Sequence, residues 1–315
     1  MDLFITTFES VAVLLGIGLV GFWIIRKKII PGNVLGLLSP LALEIALPSL
    51  IFINVIQDFN PNEFPAWWQL PLWWLFFTAV SAILTFIFRY VSKKENRREF
   101  AISLFFQNGI FFPLAIIAGM FGSNSYLLIF LFIFTIFYPA FFFSTGHIFF
   151  GKKFNLNKNW KKIFHPVLIA TVVAIIIKIA GVQNFIPDFV LNIFSLLGGM
   201  TVPLIMIILG GNIYMDFQKT GSIQKFEIIK FVLIKNVIFP IIFIGILFYI
   251  RPMYEIALII LLQAAVPPVT AVPLMTERFG GNRFIVNQFI ILSFISSLVT
   301  IPIMVSLFSI FFPLK

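Results

Sequence analysis

The chain contains ten long apolar segments that carry almost no charge. A helix needs about 20 such residues to cross the hydrocarbon core of a bilayer. Of the 315 residues, 60% are hydrophobic and 11% are charged, whereas a soluble domain has about 45–50% and about 25%. The sequence therefore predicts an all-α polytopic membrane protein. Its predicted spans are residues 8–25, 34–56, 71–91, 99–119, 125–149, 163–180, 188–213, 227–250, 255–277 and 283–311.

The basic residues indicate how these spans are oriented. Lys and Arg gather in alternate loops, namely residues 26–28, 89–98, 152–162, 219–230 and 278–283. Cytoplasmic loops of membrane proteins carry an excess of these residues. We therefore expect the five basic loops to be cytoplasmic and both termini to lie outside the cytoplasm. The net charge of +10 follows from this topology, and it does not indicate a nucleic-acid partner.

The ten spans divide into two halves of five. Because five is an odd number, the second half must enter the membrane from the opposite face, so the repeat is inverted. Two pairs of prolines support the repeat: Pro48 and Pro203 are 155 residues apart, and so are Pro113 and Pro268. We predict one five-helix repeat over residues 1–149 and a second, inverted repeat over residues 150–315.

The fourth and ninth spans are interrupted by helix-breaking residues. A span can be broken only where protein or a wet cavity satisfies the freed backbone groups. Interruptions at corresponding positions of two repeats are typical of a carrier's binding site. The alternative is that these prolines only kink tightly packed helices. The predicted substrate-binding residues are Asn108, Gly109 and Pro113 of the fourth span, Gln263, Pro267, Pro268 and Thr270 of the ninth, and Lys235 of the eighth.

This type of site suits an anion. Unwound segments expose N–H groups, and the N-terminus of a half-helix adds partial positive charge without a formal ion. The amides of Asn108 and Gln263 can complete the hydrogen bonds of a carboxylate. Tyr138 of the fifth span either lines the same cavity or packs among the many Phe side chains. The sequence thus predicts a binding site for a small anion where the broken segments meet.

Two charged residues lie inside predicted spans. Glu44 is the one acidic side chain near the middle of a span, where a charge costs at least about 2.5 kcal/mol. It is either a proton carrier or a protonated group that is hydrogen-bonded between helices. Lys235 lies about two turns from the cytoplasmic end of its span. It either contacts the substrate or extends along the helix to that surface.

The chain lacks the residues that an enzyme, a metal site or a nucleotide-driven transporter requires. The chain has no Cys, and its two His residues are distant from each other and from carboxylates in the sequence. No catalytic dyad, metal-ligand cluster or nucleotide-binding P-loop is visible. We therefore expect no enzymatic activity, no metal and no cofactor.

Short motifs in the ninth span resemble those of the auxin efflux carrier family. Residues 263–267 read Q-A-A-V-P, and residues 276–281 read T-E-R-F-G-G, similar to Q-A-A-L-P and A-E-R-Y-G-G of plant and bacterial members. The fourth span is similar to the family's G-N-x-G-N-x-P-L, with Ile110 and Phe111 in place of the inner Gly and the second Asn. Ala271 stands where bacterial members often have Asn. These departures leave a smaller or less polar ligand as an alternative to a carboxylate.

The resemblance implies a fold and a function. Members have ten helices in an inverted repeat, with broken fourth and ninth helices that cross. Helices 1, 2, 6 and 7 form a scaffold, often a homodimer, and helices 3–5 and 8–10 form a mobile transport unit. The expected function is a secondary carrier, or permease, for a small organic anion such as a carboxylate, acting by elevator-like motion in the bacterial inner (plasma) membrane. The alternatives are a sodium- or proton-coupled symporter or exchanger of the related bile-acid or sodium–proton type, and a membrane sensor that does not transport.

Overall fold

All regular secondary structure in the described part of the chain is helical. The structure is a computed structural model, and it describes residues 3–122, 125–151, 166–218 and 223–313. No strand occurs within these ranges, and the one β-type contact among them is an isolated bridge between Gln107 and Pro268. The basic loop at residues 152–162 and the start of the predicted sixth span lie outside the described residues.

Two π-helical segments each join two α-helices directly. Leu41–Ala46 joins Val34–Pro40 to Leu47–Asp58, and Leu233–Ile238 joins Lys225–Val232 to Phe239–Ile250. The helices are α1 Leu3–Arg26, α2 Val34–Pro40, α3 Leu47–Asp58, α4 Leu70–Phe88, α5 Arg97–Phe105, α6 Phe111–Phe121, α7 Tyr126–Phe134, α8 Tyr138–Thr145, α9 Pro166–Ile179, α10 Asp188–Gly199, α11 Thr201–Phe217, α12 Lys225–Val232, α13 Phe239–Ile250, α14 Tyr254–Ala265, α15 Val272–Arg278 and α16 Arg283–Phe311.

Six helical stretches of the described residues are long and apolar enough to cross a membrane. They are Leu3–Arg26, Val34–Asp58, Trp67–Val91, Asp188–Met215, Lys225–Ile250 and Arg283–Phe311. The other four predicted spans contain shorter apolar helices: Phe111–Phe121, Tyr126–Phe142, Pro166–Ile179 and Tyr254–Ala265. The helices of the predicted fourth and ninth spans are short because a non-helical break divides each span.

Both π segments end two residues before a proline. Pro48 is the second residue of α3, and Pro240 is the second residue of α13. Proline has no N–H, and its ring clashes with the carbonyl four residues earlier, so a widened turn accommodates it. Glu44 lies in the first π segment and Lys235 in the second. Both charged candidates of the spans are thus held where the helix departs from α geometry.

Helices α1 and α11 pack with their backbones almost in contact. A Cβ atom added to Gly210 would lie 1.7 Å from the Gly18 carbonyl oxygen, and one added to Gly21 would lie 2.2 Å from that of Ile207. Small residues allow membrane helices to approach in this way. Any side chain at these positions would force the two helices apart, so α1 and α11 form one closely packed pair.

Helix α14 is enclosed by the rest of the protein. Every residue from Ile256 to Ala265 is buried, as expected of a helix that is hydrophobic on all sides. Helices α4, α7, α13 and α16 pack around it. Nearby, the rings of Phe100, Phe231 and Phe289 lie 4.5–5.6 Å apart and join α5 to α12 and α16. The end of α14, where the second interruption begins, therefore lies deep inside the bundle.

Candidate substrate-binding site at two paired helix breaks

Two non-helical breaks pair with each other inside the protein. The first break, residues 106–110, separates α5 from α6, and the second break, residues 266–271, separates α14 from α15. The Asn108 N–H donates to the Pro267 carbonyl at 2.8 Å, and the Val269 N–H donates to that of Phe106 at 3.0 Å. Each break thus satisfies backbone groups that the other leaves free, as an apolar interior requires. The two predicted interruptions lie against each other.

The prolines explain where the helices stop and start. Pro113 lies in the first turn of α6, where a backbone N–H has no intrahelical partner and its absence costs little. Pro267 and Pro268 fall within the second break, and both are buried. Neither proline can donate a hydrogen bond, but the Pro267 carbonyl accepts one from the first break. Pro113 therefore begins a helix, while Pro267 and Pro268 keep the second break extended.

The Gln263 side chain joins the two breaks. Its Nε2 donates to the Gly109 carbonyl at 2.6 Å, and its Oε1 accepts from Gln107 Nε2 at 3.1 Å. The side chain is fully buried, in the last turn of α14. A Cβ atom on Gly109 would lie 2.2 Å from Gln263 Oε1, so only glycine leaves room for this contact. Gln263 is placed to position the breaks.

Replacing Gly109 with Ala should therefore disturb the site. The added methyl group overlaps the Gln263 amide, and overpacking of this kind typically costs about 1–3 kcal/mol. We expect a lower melting temperature in detergent and slower transport. Gly245→Ala is the matched control, because a Cβ atom there meets no other atom within 4 Å. If Gly109→Ala matched this control in both measurements, the contact would not be essential.

Asn108 differs from Gln263 because its side-chain oxygen has no partner. The residue is 2% exposed, and Oδ1 makes no hydrogen bond. A buried polar atom without a partner costs free energy, and the amide can turn to present either its oxygen or its NH₂ group. Among the buried amides of the first break, Asn108 is thus the one that is available to a ligand.

Two supporting residues of the first break were not predicted as site residues. Gln107 is 3% exposed, pairs with Gln263 through its side chain and forms the bridge with Pro268. The Tyr138 hydroxyl donates to the Gln107 carbonyl. The sequence signal for Gln107 was its position beside Asn108. Tyr138 therefore holds the first break and does not only pack among Phe side chains.

Lys235 points into the protein. It is 1% exposed, its Nζ donates to the Ala264 carbonyl at 3.3 Å, and it lies 5.4 Å from the Phe239 ring. It forms no ion pair with any described carboxylate. The alternative in which Lys235 extends to the membrane surface is wrong, because the π segment directs the side chain toward the end of α14. The buried Lys235 amine thus contacts the residue next to Gln263, beside the second break.

Thr270 lines a narrow cleft beside the second break. The cleft is bounded by Asn212 of α11, Thr270, and Asn287 of α16, among apolar neighbours. Asn287 is 3% exposed, and its Nδ2 has no hydrogen-bond partner. The cleft volume is about 20 Å³, enough for about one water molecule. Thr270 itself is half-buried, and the cleft as it stands is too small for a carboxylate.

Glu44 lies on the outer surface of the described structure. Its side chain is exposed, and its π segment packs chiefly against α9, α10 and α11. It makes no hydrogen bond or ion pair with any residue that the structure describes. The alternative in which Glu44 is hydrogen-bonded between helices is therefore not seen. The structure does not bring Glu44 into contact with the paired breaks.

A polar network holds the second π segment against α16. Asn236 is fully buried, and its Nδ2 donates to the Ser293 carbonyl and to Ser296 Oγ, both at 2.8 Å. Ser293 Oγ in turn donates to Asn236 Oδ1 at 2.6 Å. Hydrogen bonds of this kind join helices in membranes. Asn236 thus fixes the segment that carries Lys235.

Within the described residues, no cluster of His, Asp and Glu could hold a metal ion.

The sequence matches one family model twice. The model is described as Membrane transport protein, and it matches residues 6–158 and again residues 152–305. The two matches include both breaks, Lys235 and the cleft residues. No curated protein matches the chain at a significant level. The chain belongs to the auxin efflux carrier family, a family of integral membrane transport proteins.

Proposed function

We propose that this protein is a secondary carrier for a small organic anion such as a carboxylate. The observation that supports this most is the combination, at the paired breaks, of an unpaired buried amide with a buried cation that has no carboxylate partner. An isolated charge in an apolar interior is costly, and a bound anion would offset that cost. We infer that a bound anion completes an ion pair with Lys235 beside Ala264.

Three groups of the site complement an anion. The Lys235 ammonium supplies a formal charge, and hydrogen bonds between charged partners are about twice as strong as neutral ones. The Asn108 amide supplies a neutral donor when its NH₂ group faces the ligand. Helix α6 begins directly after the first break, so its N-terminal partial charge adds to both. Gln263, Pro267 and Pro268 position these groups and need not contact the ligand.

The proposed architecture has ten spans in two inverted repeats, residues 1–149 and 150–315. The breaks occupy corresponding positions in the two halves, and the two family matches overlap at residues 152–158, close to the proposed boundary. Spans 1, 2, 6 and 7 would form the scaffold, with the α1–α11 pair at its centre. The cleft lies between α11 and the proposed transport unit, spans 3–5 and 8–10. The cleft as it stands is too small for a carboxylate, and elevator-like motion of the transport unit would open it.

Uptake of radiolabelled mono- and dicarboxylates into proteoliposomes tests the function. We expect saturable uptake of at least one, and competition by anions of similar size. If no tested anion were taken up although one bound specifically, the protein would be a sensor. Uptake that required a sodium or proton gradient would identify an ion-coupled symporter or exchanger. A neutral solute transported in preference to every anion would contradict the proposal.

We also propose a homodimer, in which a second copy would cover exposed apolar residues that include Leu37, Ile45 and Leu196.

Glu44 is the proposed proton site if transport is coupled to protons. Glu44→Gln cannot lose a proton, so uptake should no longer respond to an imposed pH gradient, while exchange without a gradient continues. Glu63→Gln, at an exposed position outside the helices, is the control. A Glu44→Gln protein that still followed the gradient would exclude the role.

A further inference from the structure

A second cavity, separate from the paired breaks, lies between α4, α5 and α8. It has a volume of about 570 Å³. Four cationic side chains line one end of it: Arg89, Lys94, Arg97 and Arg98. No Asp or Glu is among its lining residues in the described structure. The charged side chains that line the cavity are therefore all cationic. None of its lining residues belongs to either break.

Two of the cations are held in place by aromatic rings. The Arg89 guanidinium carbon lies 4.4 Å from the Phe86 ring centre and 4.7 Å from that of Tyr90, and Arg97 lies 5.0 Å from Tyr90. Arg89 Nε is buried and has no hydrogen-bond partner. Neither Arg89 nor Arg97 forms an ion pair with a described carboxylate. Both guanidinium groups can therefore bind an anion without breaking an existing salt bridge.

The remainder of the cavity is apolar and opens toward the outside of the bundle. Its floor includes Ala101, which is buried, and the rings of Phe105 and Phe149. At its edge, Phe86 is 58% exposed and Ile148 is 63% exposed, as for side chains that face lipid. The cavity is thus a groove with a basic end and an apolar floor that is continuous with the outer surface.

This shape selects an amphipathic anion. Arg binds phosphate through several parallel N–H groups, and basic pockets between spans on the cytoplasmic side bind anionic headgroups. The residues from Arg89 to Arg98 form a predicted cytoplasmic loop, so the basic end faces the leaflet that is rich in anionic lipid. We propose that this groove binds an anionic phospholipid, with the phosphate between Arg89 and Arg97 and one acyl chain along Ala101 and Phe105.

Lipid binding by the purified full-length protein tests the proposal. Native mass spectrometry or intrinsic fluorescence would compare phosphatidylglycerol with phosphatidylcholine of the same acyl chains. We expect preferential binding of phosphatidylglycerol, and binding about 30-fold weaker in Arg89→Gln/Arg97→Gln, since each cation near an anionic lipid contributes about fivefold. Lys27→Gln/Lys28→Gln removes the same charge from another predicted cytoplasmic loop, and it should bind as the parent does.

A second pair of variants tests the apolar part of the groove. Ala82→Phe adds a ring to the lining and should weaken phosphatidylglycerol binding, whereas Ala180→Phe, at an exposed position outside the groove, should not. If the double arginine variant fails to fold, Lys94→Gln/Arg98→Gln replaces it, because both of these side chains are exposed. Equal binding of the two lipids would overturn the proposal. Competition by inorganic phosphate with no effect of Ala82→Phe would show a free phosphate site and would overturn it as well.

Discussion

Replacing Lys235 with Met should strongly reduce anion uptake and raise the stability of the ligand-free protein. The ammonium is buried and is bonded to one backbone carbonyl only. Removing its desolvation cost should increase the free energy of unfolding by about 1–4 kcal/mol, the gain found when buried ion pairs are replaced by apolar residues. A charged hydrogen bond to the substrate is worth about 1.5–3 kcal/mol, so anion affinity should fall about 10- to 150-fold. Activity and stability should thus change in opposite directions.

Thermal unfolding in detergent and uptake into proteoliposomes measure the two effects on the same preparation. Lys230→Met is the matched control, because Lys230 lies on the same span but is half-exposed and pairs with Glu227 at 3.1 Å. Its uptake should be unchanged. Lys235→Arg should retain part of the anion binding. If Lys235→Met lowered stability and left anion affinity intact, Lys235 would serve only to cap the carbonyl end of α14, and the proposed charge pairing would be wrong.

Asn108→Leu and Gln263→Leu should both abolish uptake but should differ in stability. Gln263 satisfies the Gly109 carbonyl and the Gln107 amide, so its removal leaves buried polar groups unpaired at a cost of about 1–3 kcal/mol. Asn108 Oδ1 has no partner to lose, so Asn108→Leu should leave the melting temperature unchanged or raise it. The pair separates a residue that binds the ligand from one that positions the breaks.

Melting temperatures, anion affinities and uptake rates of both variants distinguish the ligand-binding role from the positioning role. Asn192→Leu, at an exposed position on α10, controls for the loss of an amide and should behave as the parent does. Equal destabilisation by Asn108→Leu and Gln263→Leu would show that Asn108 is also structural. Undiminished uptake by both variants would show that the paired breaks do not form the substrate-binding site.

The sequence predicted the positions of the breaks more successfully than the roles of the residues around them. Gly and Pro signal interrupted helices directly, because each acts on its own backbone. The direction of a side chain is harder to predict from sequence, because a span that is apolar on nearly all sides has no clear buried face. For this reason the sequence left two directions open for Lys235, and it did not indicate that Glu44 is exposed. The π segments add to the difficulty by changing the helical register just before Pro48 and Pro240.

The contacts between distant parts of the chain also could not be predicted from the sequence. Gln107 and Gln263 are 156 positions apart, and neither local composition nor spacing indicates that their amides meet. The close approach of α1 and α11 depends on Gly18, Gly21 and Gly210, which are ordinary residues in membrane spans. In each case the partner, rather than the residue type, determines the role, so three-dimensional packing is required to assign it.

The pairing of the two breaks is built from main-chain atoms, so it depends little on the side chains around it. Asn108 and Val269 donate through their backbone N–H groups, and Pro267 and Phe106 accept through their carbonyls. Such bonds survive the replacement of neighbouring side chains. The breaks pair although residues 110, 111 and 271 are Ile, Phe and Ala. The side chains of the proposed site can thus be replaced while the main-chain pairing beneath them stays the same.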